Sequence, residues 1–373
     1  MKKRLLLAAI LISLIAVLTY MVMSKKPVAG KPQEPVLPYP YHSEDVSFRN
    51  PKAGITLGGT LTMPRNGTKL PAVILISGGG PQDRNSQFLG HKPFLVIADY
   101  LTRQGFAVLR YDDRGVGKSS GDFASATSLD FATDAESALV YLRSRKEIDP
   151  QKIGFAGHSE GGLIGAIVAS GSKDVHFLVS LAGPGVVGID GMILQTELIS
   201  RAGGVDEDGM ARIRKLNQET AEIIMQSADT IVLREKLTAY TKANLENYPD
   251  KMFPPGMPKE QLLKDQIDRM CTPWYQFIYK TDPAVYFRKV TSPVLALNGS
   301  KDLQVDARQN LPAITKAVKE GGNPNVTALV LPDLNHFFQK SKNGHPSEYA
   351  DNQDTFSPIA LTAMSDWLHA QTK

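Results

Sequence analysis

The sequence of 373 residues predicts an α/β fold, in which a mostly parallel, doubly wound sheet carries helices on both faces. Two observations lead to this prediction. Continuous apolar runs such as Leu70–Ser77 and Val294–Asn298 recur along the chain, as in strands that are buried on both faces. Segments with helical spacing separate these runs, and Phe94–Gly105 is one that stops at a glycine.

The elements can be assigned in chain order. Glu44–Asn50 and Ile55–Pro64 are predicted to form an antiparallel pair around the turn at residues 52–54. The further predicted strands are Leu70–Ser77, Phe106–Tyr111, Lys152–Gly157, Phe177–Ala182, Val294–Asn298 and Ala328–Leu331. The predicted helices are Phe94–Gly105, Asp134–Arg145, Gly161–Ser170, Asp306–Gly321 and Pro358–Thr372.

The alternation of strands and helices stops in the middle of the chain. From about residue 187 to residue 290 the residues are helix formers, with charges interleaved among Met, Ile and Leu. We therefore expect one domain over residues 44–373, with a helical lid over about 187–290 inserted between two sheet strands.

The first residues have the pattern of an export signal. A basic start, Lys2 to Arg4, precedes an apolar run from Leu5 to Met23. Residues 1–23 are therefore predicted to be either a cleaved signal peptide or an uncleaved membrane anchor, with the body outside the cytoplasm, in the periplasm or extracellular space. Residues 24–43 are rich in proline and are predicted to form an extended, unpacked linker.

Charge and cysteine content narrow the function classes. Residues 1–33 contain six basic residues and no acid, whereas the whole chain carries +4, so the remainder has a net charge of −2. A nearly neutral body without a basic run has no electrostatic surface for nucleic acid. The single Cys271 excludes an internal disulfide and a thiolate zinc cluster.

The strongest chemical signal is the sequence Gly-His-Ser-Glu-Gly around Ser159. It follows a predicted strand and opens a predicted helix, where a G-x-S-x-G sequence forms a sharp, strained turn that lifts the serine hydroxyl off the sheet. The helix N-terminus behind the turn favours developing negative charge. The sequence therefore predicts that Ser159 is a nucleophile rather than a helix cap.

A serine nucleophile needs a histidine base and a carboxylate that orients the base. In this arrangement the acid and then the histidine follow the serine along the chain, each after a strand. Only His336, of the seven histidines, has this order and position. Asp302 is the predicted acid. Asp306 and Asp333 are its rivals, the first inside a predicted helix and the second too close along the chain to His336.

Two backbone N–H groups are needed for the oxyanion. One is expected from Glu160, the residue after the nucleophile. The other is expected from the glycine-rich loop Ser77–Arg84, with Gly79 as the first choice and Gly80 as the second, because glycine lets the backbone approach a substrate closely.

The segment Tyr111–Ser119 contains a Gly-Lys-Ser sequence that resembles the end of a phosphate-binding loop. The full motif requires a glycine at position 112, where this chain has Asp112, so we interpret the segment as a structural loop in which Asp113 and Arg114 pair. Histidines and acids do not fall at metal-ligand spacing, and no metal or cofactor is predicted.

The motifs GGGPQDRN, RYDDRGVGKSSG, GFAGHSEGG, PVLALNGSKDLQV and LPDLNHFF occur in order over residues 45–373. In this combination the chain resembles bacterial α/β-hydrolase esterases of the EstD-like group, which are related to serine-aminopeptidase-like and dienelactone-hydrolase-like families. The resemblance implies an α/β-hydrolase fold, cleavage of esters with short to medium acyl chains, and no cofactor. One departure is Ser77-Gly78, where such proteins commonly have His-Gly.

The expected activity is carboxylic ester cleavage through an acyl-enzyme, with a small-molecule ester as the partner and, through residues 5–23, a membrane tether. A serine peptidase, a thioesterase or acyltransferase, and a non-catalytic binding protein on the same scaffold remain alternatives. Residues 252–253, 257, 274–275 and 277–279 are candidate walls of an acyl pocket. The sequence does not predict the oligomeric state.

Overall fold

The structure, a computed structural model, describes residues 31–248 and 258–373. These residues contain an eight-stranded sheet in the order β1-β2-β4-β3-β5-β6-β7-β8. The strands are β1 His42–Asn50, β2 Ile55–Met63, β3 Leu70–Ile76, β4 Ala107–Tyr111, β5 Ile148–His158, β6 Leu178–Leu181, β7 Val294–Gly299 and β8 Val326–Leu331. β2 pairs antiparallel with β1 and β4, and the other neighbours are parallel. The predicted mostly parallel sheet is confirmed.

Helices cover both faces of this sheet. They are α1 Pro93–Arg103, α2 Ser128–Arg143, α3 Glu160–Gly171, α4 Gly188–Ala202, α5 Glu207–Gln226, α6 Thr230–Ala243, α7 Lys259–Met270, α8 Pro273–Lys280, α9 Ala284–Phe287, α10 Ala307–Glu320 and α11 Pro358–Thr372. Residues of α2, α3 and α10 share one core with Ile74, whereas residues of α1 and α11 share another with Val73 and Leu75. Successive residues of β3 point to opposite faces, which explains its continuous apolar sequence.

The boundaries of the elements agree with the sequence to within a few residues, except at α2. This helix begins at Ser128, six residues before the predicted start at Asp134. The reason is a capping box, in which the Asp130 carboxylate accepts hydrogen bonds from the Thr127 backbone N–H at 2.9 Å and from its hydroxyl at 2.8 Å. The Thr-x-x-Asp spacing of Thr127 and Asp130 is the sequence signal for this earlier start.

Helices α4 to α8 lie between β6 and β7 and have a core of their own. Met210, Ile213, Leu216 and Tyr279 are among its fully or almost fully buried members. Together with the short helix at Leu245–Asn247, these helices are called the helical segment below, residues 188–280. Each of these helices is amphipathic and buries its apolar face against the others. The segment thus packs as a layer above the carboxyl edge of the sheet.

The predicted linker is partly described, and residues 31–41 pack on the body. The buried Lys31 ammonium donates to the carbonyl oxygens of Ala350 at 3.1 Å and Asn352 at 2.6 Å. The Gln33 side chain accepts hydrogen bonds from the Thr355 and Phe356 backbone N–H groups. The prediction of an unpacked linker is therefore wrong for this part, because these polar contacts and the buried side chain of Tyr41 attach it to the body.

The predicted export signal, residues 1–23, lies outside the described residues. In residues 31–248 and 258–373, no helix has the length and apolar character needed to cross a membrane.

The segment with the Gly-Lys-Ser sequence is held by two buried ion pairs. Arg114 Nε donates to Asp134 of α2 at 2.7 Å, and the two side chains are 8% and 3% exposed. Arg84 pairs with Asp112 at 2.7 Å. Asp113 instead accepts from the Ser77 hydroxyl and the Gln82 backbone N–H, so the predicted Asp113–Arg114 pair is wrong.

Replacing Arg114 tests this structural role. Arg114→Ala leaves the Asp134 carboxylate buried without its cation, so we expect the free energy of unfolding to fall by about 3–5 kcal/mol in equilibrium urea denaturation. Arg143→Ala is the matched control, because Arg143 pairs with Asp174 where the side chains are 40% and 48% exposed. That variant should lose less than about 1 kcal/mol. Equal losses in the two variants would contradict the assignment.

Candidate active site

Ser159 stands in a strained turn between β5 and α3. Its φ is +54° and its ψ is −121°, in a region that residues with a side chain rarely adopt. A Cβ at Gly157 would lie 2.0 Å from the Gly161 carbonyl oxygen, and one at Gly161 would lie 2.2 Å from the Ile76 carbonyl oxygen. The turn therefore closes only with glycine at both positions. This steric requirement explains the two glycines of the G-x-S-x-G pattern.

His336 and Asp302 come together on the loops that follow β8 and β7. His336 Nδ1 lies 2.9 Å from Asp302 Oδ2, and the side chains are 3% and 0% exposed. The other oxygen, Oδ1, accepts the backbone N–H groups of Gln304 at 2.8 Å and Val305 at 2.9 Å. Because a carboxylate only accepts hydrogen bonds, Nδ1 donates this bond, and the other ring nitrogen, Nε2, remains to act as a base.

The two rival acids have other roles. Asp306 caps α10 by accepting the Arg308 backbone N–H at 2.7 Å, and it also binds the Arg308 guanidinium. Asp333 is exposed and stands at a φ of +56° in the turn after β8. Of these carboxylates, Asp302 is the one that binds His336.

His158 is a site residue that the sequence analysis set aside because it precedes the acid in the chain. Burial lowers its pKa to about 3, so the ring is neutral. Its Nε2 lies 2.9 Å from the His336 carbonyl oxygen, where it donates a hydrogen bond. The side chain before the nucleophile thus holds the loop that carries His336. The sequence feature that points to His158 as a site residue is its position directly before Ser159.

Glu160 contributes its side chain to the site as well as the backbone N–H that the sequence predicts as an oxyanion donor. Its side chain is buried, and burial raises its pKa to about 7. The Ser128 hydroxyl donates to Oε1 at 2.5 Å, and Trp274 Nε1 of the helical segment donates to the same oxygen at 2.8 Å. Three elements, α2, α3 and α8, therefore meet at one carboxyl group beside Ser159.

The glycine loop after β3 runs beside the nucleophile. A Cβ at Gly78 would lie 3.1 Å from the Ser159 Cβ, and one at Gly79 would lie 2.9 Å from the Trp274 ring. Neither the Gly79 N–H nor the Glu160 N–H donates a hydrogen bond within residues 31–248 and 258–373. Both positions and Gly80 line the same cavity as Ser159, so free donors are available there for an anion.

The departure at Ser77 has a structural explanation. Its hydroxyl donates to Asp113 Oδ1 at 2.5 Å, while Asp113 Oδ2 accepts the Gln82 N–H at 2.9 Å. Burial raises the pKa of Asp113 to about 8. Asp113 thus fixes both ends of the glycine loop, and a hydroxyl at position 77 serves this purpose without a histidine.

A cavity of about 460 Å³ opens over Ser159 and His336. The helical segment forms one side of it, through Gly188, Gly191, Met192, Gln195, Trp274, Tyr275 and Ile278. Of the predicted walls, Trp274, Tyr275 and Ile278 line the cavity, whereas Tyr279 is fully buried in the core of the segment. Residues 252–253 and 257 lie outside the described residues.

Known proteins with a similar sequence include an esterase, polyketide transferases and proteins described as uncharacterized. The chain is 25% identical to the esterase EstD of Thermotoga maritima over 280 residues, which is 75% of this chain and 57% of EstD. A protein of Escherichia coli K12 named YfhR, described as uncharacterized, is 30% identical over 106 residues, 26% of this chain and 36% of its own. The chain spans about half the length or less of these curated relatives.

Solved structures show the same fold. The esterase Pf2001 of Pyrococcus furiosus matches with a TM-score of 0.53 and 16% identity over 89% of this chain and 92% of its own. The α/β-hydrolase GrgF from Penicillium sp. sh18 matches with a TM-score of 0.53 and 16% identity over 89% and 99%. The predicted α/β-hydrolase fold is confirmed.

The family model that matches the chain is described as X-Pro dipeptidyl-peptidase (S15 family), and the match extends over residues 53–337. This range includes the strained serine, the carboxylate and the histidine, as well as the helical segment. The chain therefore has an α/β-hydrolase fold and belongs to the S15 peptidase family.

Proposed function

We propose that this protein is a serine hydrolase that cleaves carboxylic esters with short to medium acyl chains. The observation that carries the proposal is the 2.9 Å hydrogen bond between His336 Nδ1 and Asp302 Oδ2, on the wall of a cavity that Ser159 also lines. No hydrogen bond joins Ser159 to His336 in the described part of the chain, and such contacts often tighten only when substrate binds.

The reaction has two steps. Ser159 Oγ attacks the ester carbonyl carbon while His336 Nε2 takes the hydroxyl proton, and Asp302 stabilises the resulting imidazolium. The Gly79 and Glu160 N–H groups donate to the oxyanion. His336 then protonates the departing alcohol, which leaves an acyl group on Ser159. Water, deprotonated by His336, attacks this acyl group, and the acid is released as the serine recovers its proton.

The lining of the cavity supports an uncharged substrate. The described lining residues include no lysine, arginine or aspartate, and their one acidic side chain, Glu160, already accepts two hydrogen bonds. Apolar side chains such as Val186, Met192 and Ile278 form much of the surface, next to the amides of Gln195 and Gln304. An acyl chain gains from burial in such a pocket, whereas a charged group there has no counter-ion.

Peptide cleavage is the second candidate, because the matching family is described as an X-Pro dipeptidyl-peptidase. The same serine, histidine and carboxylate would perform it, since amide and ester cleavage share the acyl-enzyme route. The two activities differ in what binds the substrate amine, so they are separated by substrate and not by the triad.

Ser159→Ala tests the nucleophile. We expect kcat for p-nitrophenyl butyrate to fall on the order of 10⁵–10⁶-fold, because the attacking oxygen is lost while the fold is retained. Wild-type protein should react with a fluorophosphonate probe and the variant should not. Ser144→Ala, an exposed serine at the end of α2, is the control that keeps both properties. Substantial ester cleavage by Ser159→Ala would refute the assignment.

Asp302→Asn tests the orienting carboxylate. An amide favours the wrong tautomer of His336, so we expect kcat to fall by roughly 10⁴-fold with little change in KM. Asp333→Asn, which changes the exposed rival acid, should keep kcat within about twofold of the wild-type value. The assignment of the acid is wrong if the second variant loses activity as the first does.

A substrate panel separates the two candidate functions. With purified protein we expect kcat/KM for p-nitrophenyl butyrate to exceed that for Ala-Pro-p-nitroanilide by roughly 100-fold or more, since the described cavity has no spare carboxylate for a substrate ammonium. The reverse order would assign the protein to peptide cleavage on the same triad.

A further inference from the structure

The indole of Trp274 makes a polar contact between the helical segment and the body. Its Nε1–H donates to Glu160 Oε1 at 2.8 Å. This bond joins α8 to α3 and ends on the residue that follows the nucleophile.

The position of the indole ring is fixed on several sides. Atoms Cζ2 and Cη2 of Trp274 lie so close to the glycine loop that a Cβ on Gly79 would come within 2.9 and 3.2 Å of them. The Tyr275 ring packs edge-on against the indole, with centroids 4.5 Å apart and planes at 81°. The half-buried ring therefore spans from the helical segment to the predicted oxyanion loop and forms part of the cavity wall.

The acceptor is equally constrained. Glu160 is buried, and its Oε1 also receives the Ser128 hydroxyl at 2.5 Å. A carboxyl group held from two sides in a low-dielectric site gives a short, directional hydrogen bond, and removing its partner leaves a buried polar group unsatisfied. The pair thus fixes the distance between α8 and Ser159 more tightly than apolar contacts alone would.

We propose that Trp274 and Glu160 form a latch that fixes the helical segment over Ser159, and that the latched indole determines the size of the acyl group that the cavity accepts. The assignment of acyl size rests on the proposed ester cleavage. The latch itself does not, because it is a contact between two side chains. Trp274 is thus a specificity-determining residue, and the Glu160 side chain is a positioning residue that acts through it.

Acyl selectivity tests the role of the ring. Trp274→Ala removes the wall, so the ratio of kcat/KM for p-nitrophenyl octanoate to that for the acetate should rise by about tenfold or more. Glu160→Gln keeps an oxygen acceptor for the indole and should leave this ratio within about twofold of the wild-type value. Glu160→Leu removes the acceptor at similar volume and should shift the ratio in the direction of Trp274→Ala.

Trp367→Ala is the matched control. Trp367 belongs to α11, packs against Phe177 and does not line the cavity. In this variant the ratio of kcat/KM for p-nitrophenyl octanoate to that for the acetate should equal the wild-type ratio. A ratio that stays within twofold in Trp274→Ala, or that moves equally in Trp367→Ala, would overturn the role of Trp274 in selectivity.

Fluorescence tests the latch without any substrate. The chain has only two tryptophans, so in a Trp367→Phe background all indole emission comes from Trp274. Glu160→Leu should shift this emission to longer wavelength and increase its quenching by acrylamide, whereas Glu160→Gln should change neither. Identical spectra in all three proteins would overturn the latch. If the spectra change as expected but no ester is cleaved, the latch stands and the proposed function fails.

Discussion

The backbone of Ser159 is the constraint on which the site depends. A φ of +54° and a ψ of −121° cost on the order of 1–3 kcal/mol, and the surrounding structure has to hold this conformation. β5 supplies this support as an inner strand that pairs in parallel with β3 and β6. The Ser159 N–H continues the ladder by donating to the Leu181 carbonyl oxygen at 2.8 Å. Because α3 starts at the next residue, the sheet and the helix hold the turn from both sides, and the hydroxyl projects from the edge where the other loops also end.

The loops around this turn are held by buried polar contacts of high sequence separation. Arg84 binds Asp112, Asp113 binds both ends of the glycine loop, and His158 binds the backbone of His336. Buried ion pairs contribute little net stability because desolvation offsets their attraction. Their value here is geometric, since each fixes one loop relative to another by directional bonds. An apolar contact of the same area would hold the loops together without fixing their register.

The sequence was sufficient for the fold because buried parallel strands and amphipathic helices leave local patterns. It also predicts that Ser159, Asp302 and His336 form one site, because their order along the chain limits the choice, and the structure places Asp302 against His336 beside the cavity that Ser159 lines. Contacts between polar side chains leave no such pattern. Lys31 binds the Ala350 carbonyl across 319 residues, and Trp274 binds Glu160 across 114. Neither pair has a periodic signal, so the packing of residues 31–41 was missed and Glu160 was chosen for its N–H alone. Arg114 was paired with its neighbour Asp113, although Asp134 offers the better buried geometry.

The arrangement is compatible with either of the two candidate functions, ester cleavage and peptide cleavage. In the proposed reaction, the strained serine, the imidazole and the free N–H groups would act on the acyl group whether the leaving group is an alcohol or an amine. Substrate choice would then depend on the rest of the cavity wall, to which residues of α4 and α8 contribute. These helices belong to a separately packed core that touches the body beside Ser159. Changes in their sequence can therefore alter the pocket while the sheet and the strained turn stay intact.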